Sequence, residues 1–304
     1  MNKKTLIWGI ILVALIAFGF AYQGPIKTWQ NNLGKPKNIL SGLDAAKITK
    51  IELTKSNKTT VLENKNNQWL INLNGKDFPA DKQYTDKLIK DLGDAAKKDL
   101  ELVSSNKDRQ VDFETNNLGV KIKLTTDSKT LEFIIGKMGN DFNSTYLAKI
   151  NSPETYLLAL NLRESADVPE WRDLTIFTAD KTVYNKIRLQ YPGQEILLEK
   201  NDKGWSATKP KKITVNTDKV DKILTIMSAL RAEEIPEQTF KGTGLEKNLI
   251  IIQATGDNLD NTLMIGDNAP GKELYYAKRG DSDRIYLIAK ASRDELVKKV
   301  DDLK

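Results

Sequence analysis

Acidic side chains set close together are the residues here best suited to chemistry, because paired carboxylates can divide general-acid and general-base roles as in glycoside hydrolysis. The pairs are Asp81 with Asp86, Glu233 with Glu234, and Asp281 with Asp283, and helix caps, turns and solvated faces account for each of them more simply. Asp257-Asn258-Leu259-Asp260-Asn261 offers oxygen ligands for calcium. It lacks the alternating ligands, central glycine and terminal glutamate of an EF-hand loop, so it reads as a hairpin turn. Gly136, Gly139, Gly266 and Gly271 do not belong to a glycine run ending in Gly-Lys-Ser or Gly-Lys-Thr, and they read as turn glycines between strands. Trp69 and Trp205 have the flat faces of sugar-stacking platforms, but their matching positions in two parts of the chain point to a shared packing role.

The chain has no histidine and no cysteine. That removes the commonest general base, thiolate nucleophiles, disulfides, a lipid-modified N-terminal cysteine and the usual zinc, copper and haem ligands. No catalytic residue, cofactor or metal site is therefore expected. Of the 47 basic residues, set against 41 acidic ones, Lys3 and Lys4 precede the apolar N-terminal run. The remaining lysines alternate with Asp, Glu and Asn, which is a solvated surface and not the clustered basic face that nucleic acid needs.

Elements that would position any site begin with that run. Thr5 to Tyr22 is eighteen residues without a charge, about 27 Å long as a helix. Its apolar side chains are Leu6, Ile7, Trp8, Ile10, Ile11, Leu12, Val13, Leu15, Ile16, Phe18 and Phe20, and they are expected to anchor the chain in the lipid bilayer. Lys3 and Lys4 before it place the N-terminus in the cytoplasm and the rest outside, a single-pass protein of the cell membrane. A cleaved signal peptide ending near Gly19-Phe20-Ala21 is the rival, and the aromatic Phe18, Phe20 and Tyr22 crowd such a site.

Beyond the anchor the chain repeats itself. Lys50-Ile51-Glu52-Leu53 matches Lys186-Ile187-Arg188-Leu189, Val61-Leu62-Glu63 matches Leu197-Leu198-Glu199, and Trp69 matches Trp205, all at an offset of 136. Ile135-Gly136 then matches Ile265-Gly266, and Tyr156-Leu157-Leu158 matches Tyr286-Leu287-Ile288, at an offset of 130. Each copy begins with alternating strands, with turns at Ser56-Asn57, Asn66-Asn67, Pro192-Gly193 and Lys203-Gly204. A helix follows, carried by Tyr84, Leu88, Leu92 and Ala95 in one copy and by Val220, Ile223, Leu224, Met227 and Leu230 in the other, with Asp81 and Asn216 as N-caps. Further strands close each copy. The expected fold class is α+β: an N-terminal transmembrane helix, then two tandem repeats, each an antiparallel sheet with one packed helix. The expected division is 1–22 anchor, 23–42 stalk, 43–165 first repeat, 166–182 connector and 183–304 second repeat.

The basic-tipped anchor, the Lys-Ile-x-Leu strand, the Trp sixteen residues beyond its Leu, and the pairs Ile135-Gly136 and Ile265-Gly266 together make a pattern. So does the connector Trp171-Arg172-Asp173-Leu174 with Ile176-Phe177 and Asp180. The chain resembles bacterial membrane-anchored proteins carrying the domain of unknown function 4340, often duplicated. Where the family often has a Gly-Leu step, the second copy has Gly244-Leu245 and the first has Leu118-Gly119. The resemblance brings no catalytic residues. Its genes often neighbour those of ABC transporters, which implies a permease or auxiliary subunit as partner.

The leading expectation is thus a membrane-anchored extracytoplasmic interaction or scaffold protein, accessory to an ABC-transporter-linked envelope complex. The alternatives are an envelope glycan or ligand module using the groove between copies and, ranked last, a carboxylate-only hydrolase.

Overall fold

A computed structural model describes residues 34–304 apart from 238, 248 and 249, together with 14, 19 and 22. The eleven anchor side chains from Leu6 to Phe20 lie outside the described residues. The chain divides into two compact units, with the boundary between Asp173 and Leu174.

In the first unit β1 (Ile48–Lys55), β2 (Lys58–Lys65), β3 (Gln68–Leu73) and β4 (Lys76–Pro79) run as an antiparallel meander. Ser56-Asn57 and Asn66-Asn67 all have positive φ, which matches the twist of two-residue hairpins and is tolerated best by Asn and Gly. Helix α1 (Lys82–Ala95) starts where the Asp81 carboxylate accepts from the backbone N–H of Gln83 and Tyr84. Leu88, Leu92 and Ala95 are fully buried, while Tyr84 stays exposed. Strands β5 (Leu100–Ser104), β6 (Val120–Thr126), β7 (Thr130–Met138), β8 (Thr145–Lys149) and β9 (Thr155–Leu158) complete a sheet of order β4-β3-β2-β1-β6-β7-β8-β9-β5, and a short α2 (Leu162–Ala166) follows. Ile39 and Leu40, from the segment expected to be a stalk, are buried in this unit, and Asn38 Nδ2 donates to the carbonyls of Ala95 (2.7 Å), the last residue of α1, and of Lys98 (2.6 Å) just beyond it.

The second unit repeats that plan. Strands β10 (Tyr184–Tyr191), β11 (Gln194–Asn201), β12 (Gly204–Lys209) and β13 (Ile213–Thr214) lead into α3 (Thr217–Ala229), capped by Asn216. Then come β14 (Ile250–Gly256), β15 (Leu259–Asn268), β16 (Leu274–Arg279), β17 (Ile285–Ala289) and α4 (Lys290–Leu296). The order β13-β12-β11-β10-β14-β15-β16-β17 is that of the first sheet without its last strand. Register breaks recur at matching places: Ile48/Lys50 with Tyr184/Lys186, and Ile135/Met138 with Ile265/Asn268. Val220, Ile223, Leu224 and Met227 are the buried face of α3, each contributing roughly 1.5–3 kcal/mol.

The expected fold class is corrected. Two large antiparallel sheets dominate the described residues, with four α-helices among them, so the described part is mostly sheet and its two units are not one-helix repeats, while the expected transmembrane helix falls outside the described residues. Among the described residues no helix is long and apolar enough to cross a membrane. The extra helices, α2 and α4, are too short for apolar periodicity to register in the sequence. Extra strand appeared because β4 and β5 are short and mixed in polarity, and pairing with a neighbour defines them more than alternation does.

Candidate functional site

Five of the six carboxylates singled out for acid and base work are taken up by local partners. Asp81 caps α1, Asp86 pairs with Lys82 one turn earlier, and Glu234 meets Lys272 at 2.5 Å. Asp281 is 2.7 Å from Arg279 and Asp283 is 3.3 Å from Lys278. The Asp257 stretch bends at Asn258, which has a φ of +58°. Asp260 then accepts from Gln253 and Thr262, and Asn261 is buried. Among the described residues no three acidic side chains gather as metal ligands. Trp69 is half-buried against the first core and Trp205 is 7% exposed, each near the start of its strand.

The glycines do close-packing work. A Cβ on Gly136 would strike the carbonyl oxygen of Phe113, and one on Gly266 would strike that of Thr243. These two oxygens accept from Lys137 N (3.0 Å) and Asp267 N (2.8 Å). Phe113 and Thr243 therefore correspond, and the next residues, Glu114 and Gly244, both have positive φ (+53° and +76°). The true counterpart of the Gly-Leu step is Glu114-Thr115, not Leu118-Gly119.

Glu114 belongs to an ion network that spacing alone did not flag. Its carboxylate lies 3.3 Å from Arg163 Nη1, which also donates to the Gly136 carbonyl at 2.9 Å. Arg163 Nε donates to Asp167 at 2.9 Å, and Lys55 reaches the same carboxylate at 2.5 Å. Burial works against the Asp167 anion, yet the hydrogen bonds from Lys55 and Arg163 hold its carboxyl below the usual value. With every member matched, the network reads as a structural tie.

Two surface features of the first unit remain without such an account. The β7–β8 loop holds Phe142 71% exposed at a φ of +58°. Asp141 rigidifies this loop by accepting from Ser144 Oγ (2.6 Å) and from the N–H groups of Asn143 (3.1 Å) and Ser144 (3.0 Å), and the Ser144 hydroxyl is the main reason its carboxyl lies below the usual range. The second feature is a cleft of about 600 Å³ at the sheet's end, bounded by Lys35 and Pro36 on one side and by Leu100, Leu102, Leu157 and Ala159 on the other. Leu102 on β5 is 49% exposed, and Glu101 beside it is exposed. Lys35 is occupied by Asp99 at 2.7 Å, whereas no ion pair engages Glu101 among the described residues. In the second unit a cleft of about 410 Å³ lies by Glu234, Pro236, Lys272, Tyr276 and Leu287. There the Glu233 N–H donates to the Leu287 carbonyl (2.8 Å), and the Leu287 N–H donates to that of Glu234 (2.9 Å).

Two consecutive sheets of one strand order define a two-part, repeat-like domain with its open features at sheet ends. The chain belongs to the family described as domain of unknown function (DUF4340), whose model matches residues 72–247 and 205–304. No curated protein and no solved structure matches it.

Proposed function

We propose that the protein is a membrane-anchored extracytoplasmic interaction or scaffold protein that works beside an ABC-transporter-linked envelope complex. The observation that carries this reading is the pairing of a duplicated sheet-rich unit with an uncharged run of eighteen residues behind Lys3 and Lys4. Duplication displays two related surfaces on one chain, a useful property in a scaffold. The charged side chains engaged in caps and local ion pairs support a non-catalytic role. The transporter association rests on the family resemblance alone.

A topology reporter fused after Lys304 and a pull-down of tagged full-length protein from solubilised membranes test the proposal together. The expected results are a reporter facing away from the cytosol and recovery of a permease or auxiliary subunit. A cytosolic reporter, or repeated recovery of the chain without any envelope partner, overturns it.

A further inference from the structure

A sheet end presents unpaired N–H and C=O groups, and proteins usually blunt it by shortness, Lys, Pro or a covering segment. Three of the four sheet ends here are treated in that way. Strand β4 carries Lys76 and Pro79, β13 is only two residues long, and β17 is occupied at Leu287 by Glu233 and Glu234 with Pro236 just beyond. The fourth, β5, reads Leu-Glu-Leu-Val-Ser, has neither Lys nor Pro of its own, and pairs on one side with β9, with Lys35 and Pro36 standing across the cleft from it. Among the described residues no strand pairs with its other side.

We propose that β5 receives an extended, basic and apolar peptide strand from a partner, which joins the nine-stranded sheet as a further antiparallel or parallel strand. Backbone hydrogen bonds give such an addition its affinity, and side-chain pockets at alternate positions give it selectivity. Leu102 and the cleft by Leu157 and Ala159 receive the partner's apolar side chains. Charge sets the remaining preference. Asp99 is matched by Lys35, which leaves Glu101 as the unmatched charge on the cleft wall, and a Lys or Arg on the incoming strand answers it as a cross-strand pair. The inference rests on the reading of an interaction protein and names the kind of partner it takes.

The test uses the purified full-length chain in detergent micelles and two fluorescein-labelled decapeptides. One alternates valine or threonine with lysine; the other replaces each lysine with glutamate. The basic peptide is expected to bind saturably, at least ~10-fold more tightly than the acidic one, with a similar loss in Leu102→Lys, each factor being about 1.4 kcal/mol. Hydrogen exchange at the amides of β5 slows on binding. Glu101→Lys, at an exposed position, shifts the preference to the acidic peptide and serves if Leu102→Lys disturbs folding. Failure of the basic peptide to saturate, binding unchanged in both variants, or no slowing at β5 overturns the proposal. A Leu102→Lys chain that still recovers its partners from membranes retains the interaction reading while removing β5 as its edge.

Discussion

Replacing Tyr184 with Phe removes one oxygen from a buried polar cluster in the second unit. Tyr184, 1% exposed on β10, donates its hydroxyl proton to the Met227 carbonyl at 3.0 Å and accepts from Asn261 Nδ2 at 2.6 Å. Asn261 Nδ2 also reaches the Met227 carbonyl, at 3.0 Å. That carbonyl lies in the last turn of α3, where helix geometry leaves C=O groups without intrahelical partners. The cluster thus ties the end of α3 to β10 and β15. The Tyr184→Phe change deletes one donor to Met227 and one acceptor for Asn261, with the carbonyl still holding its second donor. At about 1 kcal/mol net per bond, the loss is about 1–2 kcal/mol. It corresponds to roughly 3–8 °C in the melting of this unit. Urea unfolding, with buried Trp205 reporting on the second unit, measures the change. Asn261→Ala and the double variant complete a cycle that is expected to show coupling above about 0.5 kcal/mol, because both side chains share one carbonyl. A Tyr184→Phe chain within about 0.3 kcal/mol of the parent, with additive effects in the double variant, refutes this account.

Three further outcomes follow from the same packing. Burial pushes the Tyr191 phenol up from 10.0 to about 12. The folded chain keeps that proton where the unfolded chain has released it, so the stabilisation is whole below pH 10 and is lost as pH rises towards 12. Tyr191→Phe should remove a slope on the order of 2 kcal/mol over that window in pH-dependent urea titrations. Gly266→Ala drives a methyl group against the Thr243 carbonyl, and calorimetry should show a loss of about 1–3 kcal/mol, whereas Gly75→Ala, in open space at a φ of +78°, meets only backbone strain. Met227→Lys puts an unpaired charge on the fully buried face of α3 and should abolish cooperative unfolding of the second unit; an unchanged melting temperature would count against that helix face.

The repeat was legible because strand pairs and cores preserve spacing: Ile51 opposite Leu62 recurs as Ile187 opposite Leu198. Hairpin turns were legible for a similar local reason, since Ser56-Asn57 and Asn66-Asn67 bring their own backbone preference. Glu114 was not, because its match to Gly244 is one of backbone conformation, with unlike side chains. The edge at β5, unpaired among the described residues, was also hidden. Whether Leu102 is a core or an exposed residue depends on which strand lies beside β5 and which does not, and alternation within five residues carries no such information. The anchor side chains from Leu6 to Phe20 fall outside the described residues, so their reading remains one of sequence.

The two copies diverge at one shared spot in the plan. Arg163 and Arg293 occupy equivalent places, since the N–H groups of Asp167 and Val297 donate to their carbonyls at 2.9 Å in both units. In the first unit Arg163 is 12% exposed and is neutralised by Glu114 and Asp167. The second unit has Gly244 and Val297 in those two places, and Arg293 turns to Asp294 and to the ring of Tyr275, 5.0 Å away, with its Nε buried and without a partner. A non-glycine residue at positive φ and an uncompensated buried donor both carry an energetic penalty, so each copy tolerates a different defect at one shared spot in the plan. The first accepts strain in its backbone and gains a complete ion network, and among the described residues no strand pairs with the far side of its β5. The second relaxes that backbone, loosens the network, and closes its own sheet end with Glu233, Glu234 and Pro236.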